Sequence, residues 1–173
     1  MPPTTAVPPA PAEAAGAPAQ APCQRAPRAR DADAPVMCPS AQPHMEGAFV
    51  FGVMGGTVEE RRVGYLPQRV PLTDEVAALA GPVRPTEVFR IAAPCAHGGC
   101  LHNDGHDCRQ ATKLVQLTPP VTRALPACAV RPDCRWWKQE GKAACMVCPS
   151  VRTTAYVMSD EERRASDPSY QLT

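Results

Sequence analysis

Aromatic residues are scarce in this chain, which has only 3 Phe, 3 Tyr and 2 Trp among its 173 residues. Side chains of this kind supply much of the apolar area that a protein core buries. A small domain that is short of such area usually depends on a metal, on disulfides or on a partner for its stability. We therefore expect a thin core with an additional stabilising element.

Long apolar runs are also missing, since no stretch of the sequence approaches the roughly 18 consecutive apolar residues of a membrane-spanning helix. The N-terminal residues do not combine a basic stretch with a following apolar one, as a secretory signal does. These two absences predict a cytoplasmic protein that has no membrane partner.

The first 46 residues contain 11 of the 22 prolines and consist mostly of Ala, Pro and small polar residues. No large apolar side chain recurs there at the period of a helix or a strand. The composition predicts a disordered tail over residues 1–46.

Residues 47–94 carry the signals of a small hairpin and helix segment. "GAFVFGVMGGTVEERRVGYLPQRV" has short apolar runs on either side of Gly55 and Gly56, which suit a tight turn. "PLTDEVAALAGP" predicts a short helix with Thr73 as its N-cap. "PTEVFRIAAPC" fits either a strand or a single helical turn.

Seven of the nine cysteines lie within one block of 54 residues, and only Cys23 and Cys38 lie in the tail, where we assign them no role. Stable disulfides are disfavoured in a reducing cytoplasm, and an odd number of cysteines leaves one without a partner. The block therefore predicts a metal or cluster domain over residues 95–156. The predicted fold class is a small, irregular α+β structure stabilised by that metal or cluster, with a short β-hairpin, a few short helices and a flexible C-terminus over residues 157–173.

The last four cysteines of the block form the first predicted ligand set: Cys128, Cys134, Cys145 and Cys148. The final pair has the spacing Cys-x-x-Cys-Pro, which lets two thiolates reach one metal ion or one edge of a cluster. Four thiolates complete a ligand set for either kind of centre.

Cys95, Cys100 and Cys108 form the second predicted set, within "CAHGGCLHNDGHDC". Three thiolates are one short of a complete set, so either a fourth ligand comes from elsewhere or an exchangeable ligand occupies an open position. The protein side chains that we consider for the fourth position are His97, His102, His106 and Cys128.

Two short helices are predicted to begin beside cysteines of these sets. In "DGHDCRQATKLVQLTPP", Asp107 is the expected N-cap and Cys108 lies on the inward face of the first turn. In "RPDCRWWKQEG", Cys134 lies in the first turn. Backbone N–H groups at a helix start favour a thiolate, which is the form that binds metals.

Both tryptophans of the chain are adjacent, just after Cys134. Trp137 is three residues from Cys134 and shares its helical face, so it is expected in the core beside the metal. Trp136 points about 100° away and is expected to cover an edge or meet a partner. We expect Arg135 and Lys138, with both tryptophans, to screen and tune the bound metal.

Iron–sulfur and zinc centres both fit these cysteines. Thiolate-rich sets, long unequal spacers, the Cys-Pro ending and nearby aromatics favour an iron–sulfur cluster, of the 4Fe–4S type. The histidines of the block and the abundance of small structural zinc modules favour zinc.

The cysteine block carries a small positive charge, with seven Lys and Arg against four Asp and Glu over residues 95–150. This excess of three is too small to indicate a nucleic-acid interface. It suits the compensation of an anionic cluster or the docking of an acidic redox partner.

Two resemblances to known families follow from the motifs. "GVMGGTVEERR" at residues 52–62 resembles the Gly-Val-Trp-Gly-Gly turn of WhiB-like iron–sulfur regulators, with Met54 in place of Trp and with the cysteines after the turn instead of before it. The run from "PTEVFRIAAPC" through "LPACAVRPDCRWWKQEGKAACMVCPSVRT" resembles small Cys-rich bacterial proteins that carry loose nitrogen-fixation labels. The second resemblance implies an iron–sulfur accessory protein.

The function expected from the sequence is that of a cytoplasmic iron–sulfur protein that transfers electrons, senses redox state or assists a larger enzyme. One alternative is a zinc-stabilised module that binds protein or nucleic acid. Another is an enzyme with an open cluster site or a cysteine nucleophile. No Ser-His-Asp pattern, phosphate-binding loop or carboxylate pair stands out, so we assign no catalytic residue.

Overall fold

The structure of the protein is a computed structural model, and it describes residues 36–57, 60–153 and 157–172. Its central element is a four-stranded antiparallel sheet in the order β1-β4-β2-β3. The strands are β1 (Met37–Cys38), β2 (Phe49–Gly56), β3 (Arg61–Pro71) and β4 (Phe89–Pro94).

Short helices accompany the sheet. They are α1 (Asp74–Ala78), α2 (Pro85–Val88), α3 (Arg109–Leu117), α4 (Arg135–Glu140), α5 (Lys142–Val147) and α6 (Asp160–Ser166). Three single 3-10 turns lie between them, at His97–Gly99, Arg131–Asp133 and Cys148–Ser150. None of the helices among the described residues is both long enough and apolar enough to cross a membrane.

The hairpin of β2 and β3 is present, but Gly55 and Gly56, the latter with a φ of 80°, end strand β2 and do not form the turn. They pair with Arg62 and Arg61, so the hairpin reverses after them. Its ladder shifts register between Val50 and Gly52. A Cβ atom at Gly52 would lie 2.8 Å from Cγ1 of Val63, so only glycine fits this close crossing of the strands.

Both faces of the sheet are covered, because successive residues of a strand point to opposite sides. Phe49, Phe51 and Ala92 belong to a core cluster that includes buried residues of α3, α4, α5 and α6. Val50 and Ile91 belong to a second cluster, with partly buried side chains of α1 packed against it. The cysteine-rich half of the chain therefore packs on the first of these faces.

The mixed α+β class, the β-hairpin and the short helices are confirmed. Helix α1 begins after Thr73, whose Oγ1 accepts a hydrogen bond from the Val76 N–H at 3.3 Å. The segment "PTEVFRIAAPC" contains both of the structures considered for it, a helical turn (α2) that leads directly into a strand (β4). The proline at the first position of α2 suits a helix start, and the β-branched and aromatic residues after it suit a strand.

Two regions differ from the expectations. The composition predicts that residues 36–46 belong to the tail, but Met37 lies in β1 and Ala41 is fully buried. The rest of that tail, including Cys23, lies outside the described residues. Residues 160–166 form α6 where a flexible end was expected, because Ser159 and Glu162 make a capping box and Ala165 is buried in the core beside α3.

Candidate metal centre

The four cysteines of the first predicted set, Cys128, Cys134, Cys145 and Cys148, line one cavity. Its walls also include aromatic side chains from the sheet and from α4, namely Phe51, Tyr65, Trp136 and Trp137. Counting the part that opens to solvent, the cavity holds about 380 Å³.

Local structure brings these cysteines together. Cys134 is the N-cap of α4, Cys145 lies in α5, and Cys148 begins a 3-10 turn. Between α4 and α5, Gly141 has a φ of 62°, which allows the abrupt change of direction between the two helices. The short loop thus lets residues of both helices line the same cavity.

Burial dominates the electrostatics of these thiols. It raises the pKa of Cys134 to about 12, and it also raises the pKa of Cys128 and of Cys145. At Cys134 the backbone N–H groups of Trp137 and Trp136 partly offset the effect of burial.

Arg131 brings a guanidinium group into the wall of the cavity. The group lies over the ring of Trp137, with 5.4 Å between Cζ and the ring centroid. Its Nε and Nη2 atoms are buried and have no hydrogen-bond acceptor among the described residues. Arg131 favours the thiolate of Cys145, which means that its charge faces the thiols.

Arg90 lies beside Cys148, one of the four cysteines that line the cavity, and is only 2% exposed. Its Nη1 donates to the carbonyl oxygens of Cys148, at 2.8 Å, and of Val151, and its Nη2 donates to that of Pro39 at 3.0 Å. Nη2 is also 3.6 Å from Sγ of Cys148. Within the described part of the chain no carboxylate lies within 4.0 Å of this guanidinium, although a buried charge normally requires an opposite one.

The donor set fits an anionic centre held by thiolates. Four cysteines line one cavity, and two guanidinium groups that lack carboxylate partners among the described residues lie beside them, the buried Arg90 and the half-buried Arg131. Deprotonation of the four thiols would give Arg90 and Arg131 negatively charged partners. As the side chains lie here, no three Cys, His, Asp or Glu residues in the described ranges are placed to hold a single metal ion. The cysteines of the first predicted set lie around the cavity and do not converge on one ion position.

The cysteines of the second predicted set lie outside this cavity and are partly buried. Cys108 is the N-cap of α3, one residue later than the expected cap Asp107, because the helix begins at Arg109. Cys95 directly follows β4, and Cys100 ends a 3-10 turn.

The three histidines beside this set differ in exposure. His97 and His106 are exposed, whereas His102 is half-buried, with its Nδ1 lacking a hydrogen-bond partner among the described residues. Burial lowers the pKa of His102, and the charges of Lys113 and Arg109 lower it further. The fourth candidate, Cys128, lies in the wall of the first cavity.

The two tryptophans differ in burial. Trp136, expected at an edge or a partner interface, is instead only 1% exposed and is the largest buried side chain, whereas Trp137 is half-buried under Arg131 and packs against the same core cluster. Cys134 precedes the helix as an extended N-cap, so helical spacing counted from Cys134 does not decide which tryptophan is buried. Both tryptophans do line the cavity, but Arg135 and Lys138 do not.

Sequence reasoning missed the cationic groups that approach the thiols, Arg90 and Arg131. Arg90 lies more than 50 residues from Cys148 in the chain, and only the sheet brings it close. A charged residue within the apolar run "VFRIAAP" was the available signal, because such a position in a buried strand requires a specific partner.

Comparisons with protein-family models, with curated proteins and with solved structures found no match to this chain.

Proposed function

We propose that the protein is a cytoplasmic iron–sulfur protein whose cluster is bound by Cys128, Cys134, Cys145 and Cys148, and that it exchanges electrons with a protein partner. The observation that carries this proposal is the arrangement of four cysteines around one apolar cavity, with Arg131 in its wall and the buried Arg90 against Cys148. A cluster of the 4Fe–4S type uses four thiolate ligands and occupies the space between them.

The cationic groups support an anionic occupant. Arg131 faces the thiols from the wall, and Arg90 holds the Cys148 backbone while its Nη2 approaches Sγ. When bound, an iron–sulfur cluster supplies one-electron chemistry, and its potential depends on hydrogen bonds to sulfur and on burial. Arg90 and Arg131 would favour the more reduced state, whereas the aromatic walls would exclude water and favour the less charged one.

The test is anaerobic purification of the full chain, followed by measurement of iron, acid-labile sulfide and zinc and by electron paramagnetic resonance of the dithionite-reduced protein. We expect iron and sulfide in equal amounts, with broad visible absorbance that bleaches on reduction. Cys134→Ala and Cys148→Ala should each remove the iron, the sulfide and the paramagnetic signal of this cluster. Met146→Ala is the matched control, because Met146 lies between two of the ligands in the chain but does not line the cavity.

A colourless protein with stoichiometric zinc would contradict the iron–sulfur proposal and support a zinc-stabilised interaction module. Loss of iron in Met146→Ala as severe as in Cys148→Ala would also count against it. In that case the iron would depend on the integrity of α5 and not on the thiols.

A further inference from the structure

A second group of four cysteines lies outside the cavity, and its first member comes from the predicted tail. Cys38, in β1, pairs with Ala93 across the antiparallel ladder. The N–H of Cys95 donates to the carbonyl of Val36 at 2.8 Å, which continues the same ladder. Residues opposite each other and two positions further along share one face of a sheet. Cys38 and Cys95 are therefore diagonal neighbours on one face.

Cys100 and Cys108 are connected through Asn103. The N–H of Asn103 donates to the carbonyl of Cys100 at 2.9 Å, and Asn103 forms an antiparallel bridge with Cys108. The N–H of Arg109 closes the same loop by donating to the carbonyl of His102 at 2.7 Å. The loop thus returns on itself and keeps both cysteines at its neck.

Helix α4 connects Cys108 to the strand that carries Cys38. Oε1 of Gln139 accepts a hydrogen bond from the Cys108 N–H at 2.8 Å, and its Nε2 donates to the Cys108 carbonyl at 3.1 Å. At the start of the same helix, the N-cap Cys134 forms a parallel bridge with Met37. One short helix thus contacts both the loop and β1.

The thiols of this group affect one another. Burial raises the pKa of Cys38 to about 12, and the thiols of Cys108, Cys95 and Cys100 raise it further. Cys38 keeps some exposed surface as a residue, but burial of its thiol is the largest influence. Repulsion between thiolates falls off with distance, so the other three thiols lie near Cys38, although no three of the four are placed to hold a single metal ion as the side chains lie here.

Trp136 gives a separate indication of a ligand at this group. Its indole N–H is buried and has no hydrogen bond of ordinary geometry with any described residue. It lies beside the thiol of Cys108, where it partly offsets the rise in pKa that burial causes. A buried N–H without an acceptor costs about 1–3 kcal/mol. A thiolate at Cys108, fixed by a bound metal centre, would be the missing acceptor.

We propose that Cys38, Cys95, Cys100 and Cys108 are the four ligands of a second iron–sulfur cluster, so that Cys38, and not a histidine, completes the upstream set. The nature of the occupant rests on the proposed function, whereas the ligand set rests on the contacts of β1, α4 and the loop. With the first set, all eight cysteines of the described residues would then be ligands.

The test uses the full chain, reconstituted anaerobically with iron and sulfide, and counts iron, sulfide and zinc per chain. We expect Cys38→Ala to lose about half of the iron and sulfide of the wild type, as Cys148→Ala does, and the double variant to lose nearly all of it. The comparison variants should keep the wild-type content; they are Cys23→Ala, His97→Ala, His102→Ala and His106→Ala.

Wild-type iron in Cys38→Ala together with a halved content in one histidine variant or in Cys23→Ala would overturn the ligand set. If the wild type binds only zinc, the proposed function fails, yet a halving of zinc by Cys38→Ala would still support the four-cysteine site. Cys38→Ser covers the case in which the alanine variant does not fold. Its hydroxyl keeps a ligand atom, so it should change the paramagnetic resonance of one cluster and leave that of the other, and two unchanged signals would refute the proposal.

Discussion

Replacement of Arg90 tests how the sheet and the thiol cavity depend on one buried cation. Arg90→Met keeps most of the side-chain volume but removes the donors to three carbonyl oxygens. The carbonyl of Cys148 keeps a second donor, the Val151 N–H at 3.2 Å, so the cost falls mainly on Pro39 and Val151. Each buried acceptor left without a donor costs about 1–3 kcal/mol.

Part of that cost is offset, because the variant no longer buries a charge. We expect a net loss of about 3 kcal/mol in the free energy of unfolding, which lowers the melting temperature of a domain of this size by about 10 °C. Iron retention should fall as well, since Arg90 holds the backbone of Cys148. Arg90→Lys keeps the charge but not the forked geometry, so it should lie between the two.

Arg62→Met is the control for this variant. Arg62 lies on β3, which β2 separates from the strand of Arg90, and its side chain is 70% exposed and pairs with Glu60 at 2.6 Å. Its loss should change stability by no more than about 0.5 kcal/mol. Thermal melting of both variants under anaerobic conditions, with iron measured before and after, is the assay. Equal melting temperatures of the two variants would refute the role given to Arg90.

Two further predictions concern the core. Trp136→Ala should lower the free energy of unfolding by about 3–5 kcal/mol, as for other buried aromatic residues, and Trp137→Ala by clearly less, because Trp137 is half-buried. Both variants should also lower the iron content. Equal losses of stability in anaerobic denaturation would contradict the difference in burial between the two side chains. Gly52→Ala should cost about 1–3 kcal/mol because the new Cβ meets Val63 and the Gly64 carbonyl; Gly55→Ala, with no atom within 4 Å of its Cβ, should change stability by less than about 0.5 kcal/mol in the same assay.

Local signals in the sequence were sufficient for the local structure. The cap at Thr73 acts within a few residues, and the hairpin joins two strands that are close in the sequence, so both could be predicted from the chain alone, although Gly55 and Gly56 end β2 and do not form the turn. The same holds for the end of α4, where Gly141 adopts a positive φ. These features depend on backbone conformation and short-range hydrogen bonds, which each segment determines for itself.

Long-range pairing explains what the sequence did not show. The composition around Cys38 is that of a tail, and only its ladder with β4 makes it part of the fold. Arg90 and Cys148 are likewise joined across the sheet. The structure places the four cysteines of the first predicted set, Cys128, Cys134, Cys145 and Cys148, around one cavity. Metal binding by either group of cysteines stays a prediction, because ligation depends on an occupant that spacing alone does not identify.

Strand β1 is only two residues long, and besides β4 its backbone pairs, among the described residues, only through the single bridge of Met37 with Cys134. A strand with so few hydrogen bonds opens at a low free energy, without unfolding of the rest of the sheet. The amide hydrogen of Cys95, which donates to Val36 immediately before that strand, is therefore a local probe of its opening. Its rate of hydrogen exchange with solvent would report how firmly the N-terminal strand is held, in a measurement that needs neither colour nor metal analysis.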